Sequence, residues 1–227
     1  MAETKISELG TAATILGSNI VPIVTAGVTK KVIAEKILMV QALTDVRWKS
    51  IRITPESMKL AGVNDPGYAV FKDNGAGSQG VFVYWFDDTL EEELYFSFEV
   101  PLDYKEGTDI YVEVYWVPKT NGAAGAVVCW GLEHTFANEG GVFGVTDIDY
   151  QDTALPAGDL IADTHYHTSL VAHAGAGGTV GQIHACRVFR DAAGVGGTDD
   201  YADDVGLLGI GLRYQADALG ASSKDAK

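Results

Sequence analysis

Residues 90–117 read LEEELYFSFEVPLDYKEGTDIYVEVYWV, and this stretch decides the fold class. Leu94, Phe96 and Phe98 alternate with Tyr95, Ser97 and Glu99. Pro101 and a polar turn from Asp103 to Asp109 interrupt the pattern, and residues 110–117 resume it. There Ile110, Val112, Val114 and Trp116 fall on one face, and Tyr111, Glu113, Tyr115 and Val117 on the other. A period of two sends alternate side chains to opposite faces of a strand. Glu113, between valines and beside tyrosines, is hard to place in a buried helix, whereas on a strand it faces outward. The stretch therefore predicts two strands joined by a turn containing Gly107, each with one face in a core. That is the seed of a β-sandwich.

Further strands are expected on both sides, over residues 46–53, 68–71, 80–86, 126–134, 161–172, 182–189 and 207–214. Between them lie turn signals such as Asn64-Asp65-Pro66-Gly67 and the glycine-rich runs at 73–77, 138–141 and 175–181. Residues 80–86 (GVFVYWF) are continuously apolar, which predicts burial on both faces, one of them against a neighbouring subunit. Residues 144–160 and 191–204 are polar and acidic and read as loops. Turn signals every 8–20 residues suggest an all-β antiparallel jelly roll or β-sandwich over residues 46–227. The order of its strands is not written in this pattern.

The net charge is −15, unevenly spread. Residues 1–60 hold eight Lys/Arg against five Asp/Glu, while residues 61–227 hold eight against 26. So acidic a body repels phosphate backbones, which argues against nucleic-acid binding. No apolar run reaches the roughly 18 residues needed to cross a bilayer, and the start MAETKISELG has no basic head followed by an apolar core. Neither a membrane nor secretion is expected. Cys129 and Cys186 each sit in an apolar strand-like run and are expected to be buried free thiols, a single disulfide between neighbouring strands being the alternative.

Residues 1–45 are a different kind of segment. Lys5-Ile6-Ser7-Glu8-Leu9 leads through a Gly/Ala/Thr-rich link to Asn19-Ile20-Val21-Pro22-Ile23-Val24, an extended run whose proline keeps it out of a central strand. Beyond Gly27, Thr29 can cap a helix, and Val32, Ile33, Lys36 and Ile37 have helical spacing, so a short helix is expected over about 30–42. The arm has apolar anchors but too few residues to bury them alone, and must pack on the body or on another protein.

The pattern Lys-Ile-Ser-Glu-Leu, a turn, Val-Pro-Ile-Val and then Gly-Val-Thr-Lys-Lys-Val resembles the N-terminal segment of many tailed-bacteriophage structural proteins. In those families it begins tail fibres, head fibres and capsid-bound spikes and attaches them to the virion. The match runs over residues 5–38, about a sixth of the chain. Long heptads, collagen-like triplets and fibre repeats do not follow it, which favours a short globular decoration or adaptor. The order of motifs over residues 94–214, including Asp200-Tyr201-Ala202-Asp203-Asp204 ahead of Leu207-Leu208, also resembles uncharacterised phage proteins expected to be jelly rolls. The resemblance implies a non-enzymatic capsid decoration or head-fibre protein, assembled in the host cytoplasm into the virion, and a homotrimer. Its partner would be the major capsid protein or another virion protein, held through Ile6, Leu9, Ile20, Pro22, Val28, Val32 and Ile37. A tail-associated adaptor, or a jelly-roll module that binds a host-surface glycan, is the alternative.

Three constellations bear on chemistry. His165 and His167, with Asp163, make an Asp-x-His-x-His comb that one sheet face could offer to a metal, with His173 and His184 as further ligands. The plainer reading is a polar outward face, and a cupin-type site would want a glutamate soon afterwards, whereas none follows Glu139. Asp147, Asp149 and Asp152, with Asp199, Asp200, Asp203 and Asp204, are compatible with calcium but lack EF-hand spacing and read better as solvated acidic loops. No Gly-x-Ser-x-Gly elbow or phosphate-binding loop is present. The aromatics Tyr84, Trp85, Tyr95, Tyr111, Tyr115, Trp116 and Trp130 form either a sugar-stacking platform or, as is commoner, core and subunit contacts. No cofactor is implied.

Overall fold

A computed structural model describes residues 20–25, 28–33, 47–153, 159–173 and 177–217. The chain divides into two compact units, Met1–Asp45 and Val46–Lys227. In the first, β1 (Ile20–Thr25) pairs antiparallel with β2 (Val28–Ile33), Ile20 opposite Ile33 and Thr25 opposite Val28. Residues 30–33 are thus strand rather than the start of the expected helix, whose remaining part, 34–42, lies outside the described residues. The reason is local: Val28, Thr29, Val32 and Ile33 are all β-branched, which favours extended backbone, and only two residues separate the strands, the length of a tight hairpin. Pro22 sits opposite Lys31, tolerated because each strand of a two-stranded ribbon is an edge.

The second unit is a β-sandwich. Its strands are β3 (Arg47–Ile53), β4 (Gly67–Lys72), β5 (Val81–Phe86), β6 (Glu93–Glu99), β7 (Ile110–Pro118), β8 (Cys129–Ala137), β9 (Asp147–Asp152), β10 (Tyr166–His173), β11 (Ile183–Arg190) and β12 (Val205–Ala216). One sheet runs β10-β7-β12-β5-β4, with β3 also on β12; the other runs β6-β11-β8-β9, and every ladder is antiparallel. The pairings nest: β8 with β9, β7 with β10, β6 with β11 and β5 with β12. A chain doubled back on itself and rolled into two sheets has this pairing, which is a jelly roll. Among the described residues the only helical turn is the 3-10 segment Pro55–Ser57, and no helix is long and apolar enough to cross a membrane.

Three expectations change. Residues 147–152, where Asp147, Asp149 and Asp152 suggest an acidic loop, form β9, with Ile148 and Tyr150 opposite Glu133 and Gly131 of β8. It is an edge strand, where carboxylates meet water and discourage further pairing. The strand expected from residue 161 begins only at Tyr166, after Asp163 takes a left-handed backbone (φ 62°). Within β5, Val83, Trp85 and Phe86 are buried by this chain alone, while Val81 and Phe82 are exposed.

The core lies between the sheets. Trp116 of β7 and Trp130 of β8 are wholly buried, with Phe86 edge-on to Trp130 at 5.1 Å between ring centres. Trp116 donates its Nε1 hydrogen to Thr168 Oγ1 (3.1 Å), which is 2.9 Å from Thr153 Oγ1, whose hydroxyl in turn lies 2.9 Å from the Val128 carbonyl. Arg190, also wholly buried, grips Asp199 with two nitrogens at 2.8 and 3.0 Å and donates to the carbonyls of Tyr201 and Asp203. Buried charges persist only when paired and hydrogen-bonded in this way.

Cys129 and Cys186 are buried and free. Burial pushes both thiols up, Cys186 to about 12, and a hydrogen bond to the Asp152 carboxylate adds to the rise at Cys129. Thiolate is the reactive form. Neither cysteine is therefore expected to react with an aromatic disulfide reagent in the folded protein at mildly alkaline pH, and both should react after unfolding. A thiol that titrates rapidly in the native state would contradict this placement.

Candidate functional site

The outward face of the six-stranded sheet follows from the register. β7 sends Tyr111, Glu113 and Tyr115 outward, because Ile110, Val112, Val114 and Trp116 take the core side. Opposite Glu113 stand Ser169 on β10 and Gly211 on β12. Arg213 of β12 faces Tyr111 of β7 on one side and Ser50 of β3 on the other, and two residues from Ser50 are Trp48 and Arg52 on the same face. Four strands from distant parts of the chain thus meet in one small area.

The area is a groove of 340 Å³ lined by Trp48, Tyr111, Glu113, Ser169 and Arg213. Trp48 is 58% exposed and leans on Tyr111, 5.9 Å between ring centres at 50°. Tyr111 donates its hydroxyl hydrogen to Asp109 (2.9 Å), which raises the phenol's pKa. Glu113 forms the floor, its side chain only 8% exposed. Its Oε1 accepts a hydrogen bond from Ser169 Oγ (3.1 Å) and faces Arg213 Nε at 3.7 Å. Its Oε2 accepts no hydrogen bond and lies 3.6 Å from Nε2 of the exposed His167. An acceptor left unpaired away from water costs about 1–3 kcal/mol.

Gly211, opposite Glu113, gives Tyr115 its room. A Cβ there would fall 2.8 Å from the ring edge and the hydroxyl of Tyr115, so only glycine lets Tyr115 lie flat across β12. Arg52 then stands 5.7 Å from the Tyr115 ring centre and donates to the Leu208 carbonyl, where a bulge interrupts the β7–β12 ladder.

Asp163, His165 and His167 do not converge as a metal comb. His165 and His167 both lie against Tyr115, at 5.5 and 6.3 Å between ring centres, but Asp163 pairs with Lys72. His184 is buried in the core, stacked on Phe98 at 4.6 Å, and His173 ends β10 opposite Ile110. The acidic residues act as staples. Asp149 accepts from the Val171 amide, Asp152 from Thr198, Asp200 from Val127, and Asp203 from the Thr120 hydroxyl, while Asp204 pairs with Lys119. Among the described residues, carboxylates close enough to share a cation are Asp87, Asp88 and Asp204. Asp87 is already committed to Thr89 and Leu90, and the Thr89 hydrogen bonds hold its carboxyl below the usual range.

The seven aromatics do not form one platform. Trp116 and Trp130 are core, Trp85 is buried beside Val83 and Val117, and Tyr84 packs against the central cluster. Tyr95 is on the other sheet. Of the seven, Tyr111 alone lines the groove, joined by Trp48, Ser169 and Arg213, residues the sequence pattern does not single out. The alternation of Arg47-Trp48-Lys49-Ser50-Ile51-Arg52 was the available signal for Trp48. A larger groove, 720 Å³, crosses the four-stranded sheet, but its charges satisfy one another: Arg187 holds Glu91 and Glu133, each at 2.9 Å, and Glu93.

Of the attachment residues, Ile20 and Pro22 are on β1 and Val28 and Val32 on β2, while Ile6, Leu9 and Ile37 lie outside the described residues.

No protein-family profile matches the chain, and neither does any curated protein. Distant likenesses exist among solved structures. A mannan-recognising carbohydrate-binding module, TmCBM27, is 14% identical over 74% of this chain and 98% of its own, with a TM-score of 0.31. The CBM27-1 module of Caldicellulosiruptor saccharolyticus, solved with mannohexaose, is 11% identical over 72% of this chain and 96% of its own, also at 0.31. Dimeric latent PorU of Porphyromonas gingivalis is 12% identical over 77% of this chain, at 0.31, and the match spans 13% of PorU. Likenesses this distant have no bearing on function.

Proposed function

We infer that this protein is a non-enzymatic structural component of a tailed-phage virion, a capsid decoration or head-fibre protein. Residues 1–45 attach it to the major capsid protein or another virion protein, and the jelly roll is displayed outward. The observation that carries the reading is that the stretch resembling phage attachment segments, residues 5–38, falls inside a compact unit of its own, Met1–Asp45. The ribbon of β1 and β2 suits attachment. A two-stranded hairpin is marginally stable by itself in water, and adding a strand to a sheet edge is a general way for a partner to hold such a ribbon.

A homotrimer is part of the same proposal. β4 is the last strand of its sheet, and Tyr68, Val70 and Phe82 are exposed there, with Tyr68 stacked on Phe82 at 5.3 Å. Light scattering should give about three times the chain mass of 24.1 kDa.

The attachment is tested with purified capsids and tails. Full chain should sediment with one of them, and a chain beginning at residue 46 should lose that binding while keeping its thermal transition. Undiminished binding by the shortened chain would overturn the role given to residues 1–45. Binding to tails alone would make the protein a tail adaptor.

A further inference from the structure

The geometry points to a saccharide-binding site in the groove floored by Glu113, with a neutral pyranose as ligand. This goes beyond attachment and does not depend on it, because the groove belongs entirely to the second unit.

The argument rests on what the groove offers. Trp48 gives an exposed indole face, backed by Tyr111, on which the apolar face of a sugar ring can stack. Beside it are a carboxylate and a guanidinium, so a ring carrying several hydroxyls meets both an acceptor and a donor. Glu113 Oε2 still has acceptor capacity, and the exposed imidazole next to it can turn into solvent to let a hydroxyl approach. Small-ligand pockets run from about 300 to 1,000 Å³, and 340 Å³ suits a single ring or the end of a longer chain.

Charge selects the class. A cationic ligand is repelled by Arg213, which lines the groove. An anionic ligand meets Glu113 on the floor, and placing two carboxylates together without a second cation in contact is costly. A neutral polyol uses the carboxylate and the guanidinium together and leaves their mutual 3.7 Å approach intact. The groove is also preorganised: Tyr111 is tied to Asp109, and Glu113 is held by Ser169. Preorganisation lowers the ordering cost of binding.

The test uses full-length protein on an array of neutral, sialylated and uronate-bearing oligosaccharides, followed by saturation-transfer NMR with methyl glycosides of glucose, mannose and galactose. Binding to neutral saccharides is expected. Trp48→Ala and Glu113→Gln should each weaken it about tenfold or more, the loss of a stacking face or of a charge-assisted acceptor, with unchanged thermal transitions. Trp48 is surface-exposed and glutamine keeps the shape of Glu113, so both variants should fold. No saccharide binding at all, or binding that survives Trp48→Ala undiminished, would overturn the site. Binding restricted to acidic saccharides would overturn the neutral class and transfer recognition to Arg213.

Discussion

Arg190→Met is expected to lower the stability of the jelly roll by about 3–5 kcal/mol, the usual consequence of removing one partner from a buried ion pair. Both side chains are shut from water, Arg190 at 0% and Asp199 at 1% exposure. The guanidinium also ties β11 to the loop before β12, through the Tyr201 and Asp203 carbonyls. Burial pushes the Asp199 carboxyl up, and hydrogen bonding to Arg190 opposes that rise. In the variant the opposition is gone, so the folded-state pKa of Asp199 stands further above its unfolded value. The deficit is then full above that raised pKa. It is partly recovered as pH falls through it towards the ordinary carboxylate range, because a neutral acid is buried more cheaply than a carboxylate. Denaturant unfolding at neutral and mildly acidic pH checks both statements. A deficit that does not shrink in acid would sink the account, and adding Asp199→Asn should recover much of the loss at neutral pH.

Trp116→Ala should be comparably damaging, at about 3–5 kcal/mol for a large aromatic removed from a close-packed core. It also strips the Thr168 hydroxyl of its indole partner. For a domain of this size that is a fall of about 10 °C in the melting temperature. Trp48→Ala, on the surface, should move stability by no more than about 0.5 kcal/mol. Scanning calorimetry on the two variants separates core tryptophan from exposed tryptophan. Equal effects would mean that the two sides of the sheet have been assigned the wrong way round.

Much of the fold was legible because burial imposes a period of two. The alternation at 94–98 and 110–117 gave β6 and β7 with the correct inward faces, and the turn between them does use Gly107, at φ 80°. The sequence failed where polarity hid pairing. β9 carries three aspartates at an edge, so its Ile148 and Tyr150 read as incidental. In the arm, a spacing that suited a helix was outweighed over 28–33 by β-branched residues paired across a tight connection. The groove was only half legible. The period that faced Tyr111, Glu113 and Tyr115 outward also faced Trp116 inward, so Trp116 did not belong in any platform. That Trp48 and Arg213, 165 positions apart, would meet over Glu113 depends on which strands become neighbours, and nothing local encodes that.

The nested pairing of the strands has a consequence for how the chain reaches its shape. β8 and β9 are near neighbours in sequence, with Ala137 and Asp147 closing a short loop, whereas β5 and β12 are joined only across residues 87–204. Closing a longer loop costs more entropy before any contact repays it. Assembly from the innermost pair outward, β8–β9, then β7–β10, then β6–β11, makes each closure short once the previous one has formed. β12 comes last, yet it sits at the middle of its sheet, with β7 on one side and both β3 and β5 on the other. A ribosome that has not yet released residue 216 therefore holds a chain whose larger sheet is open along its centre. Until that strand arrives, β3, β5 and β7 have unpaired edges, and this interval during synthesis is when the protein is most exposed to aggregation.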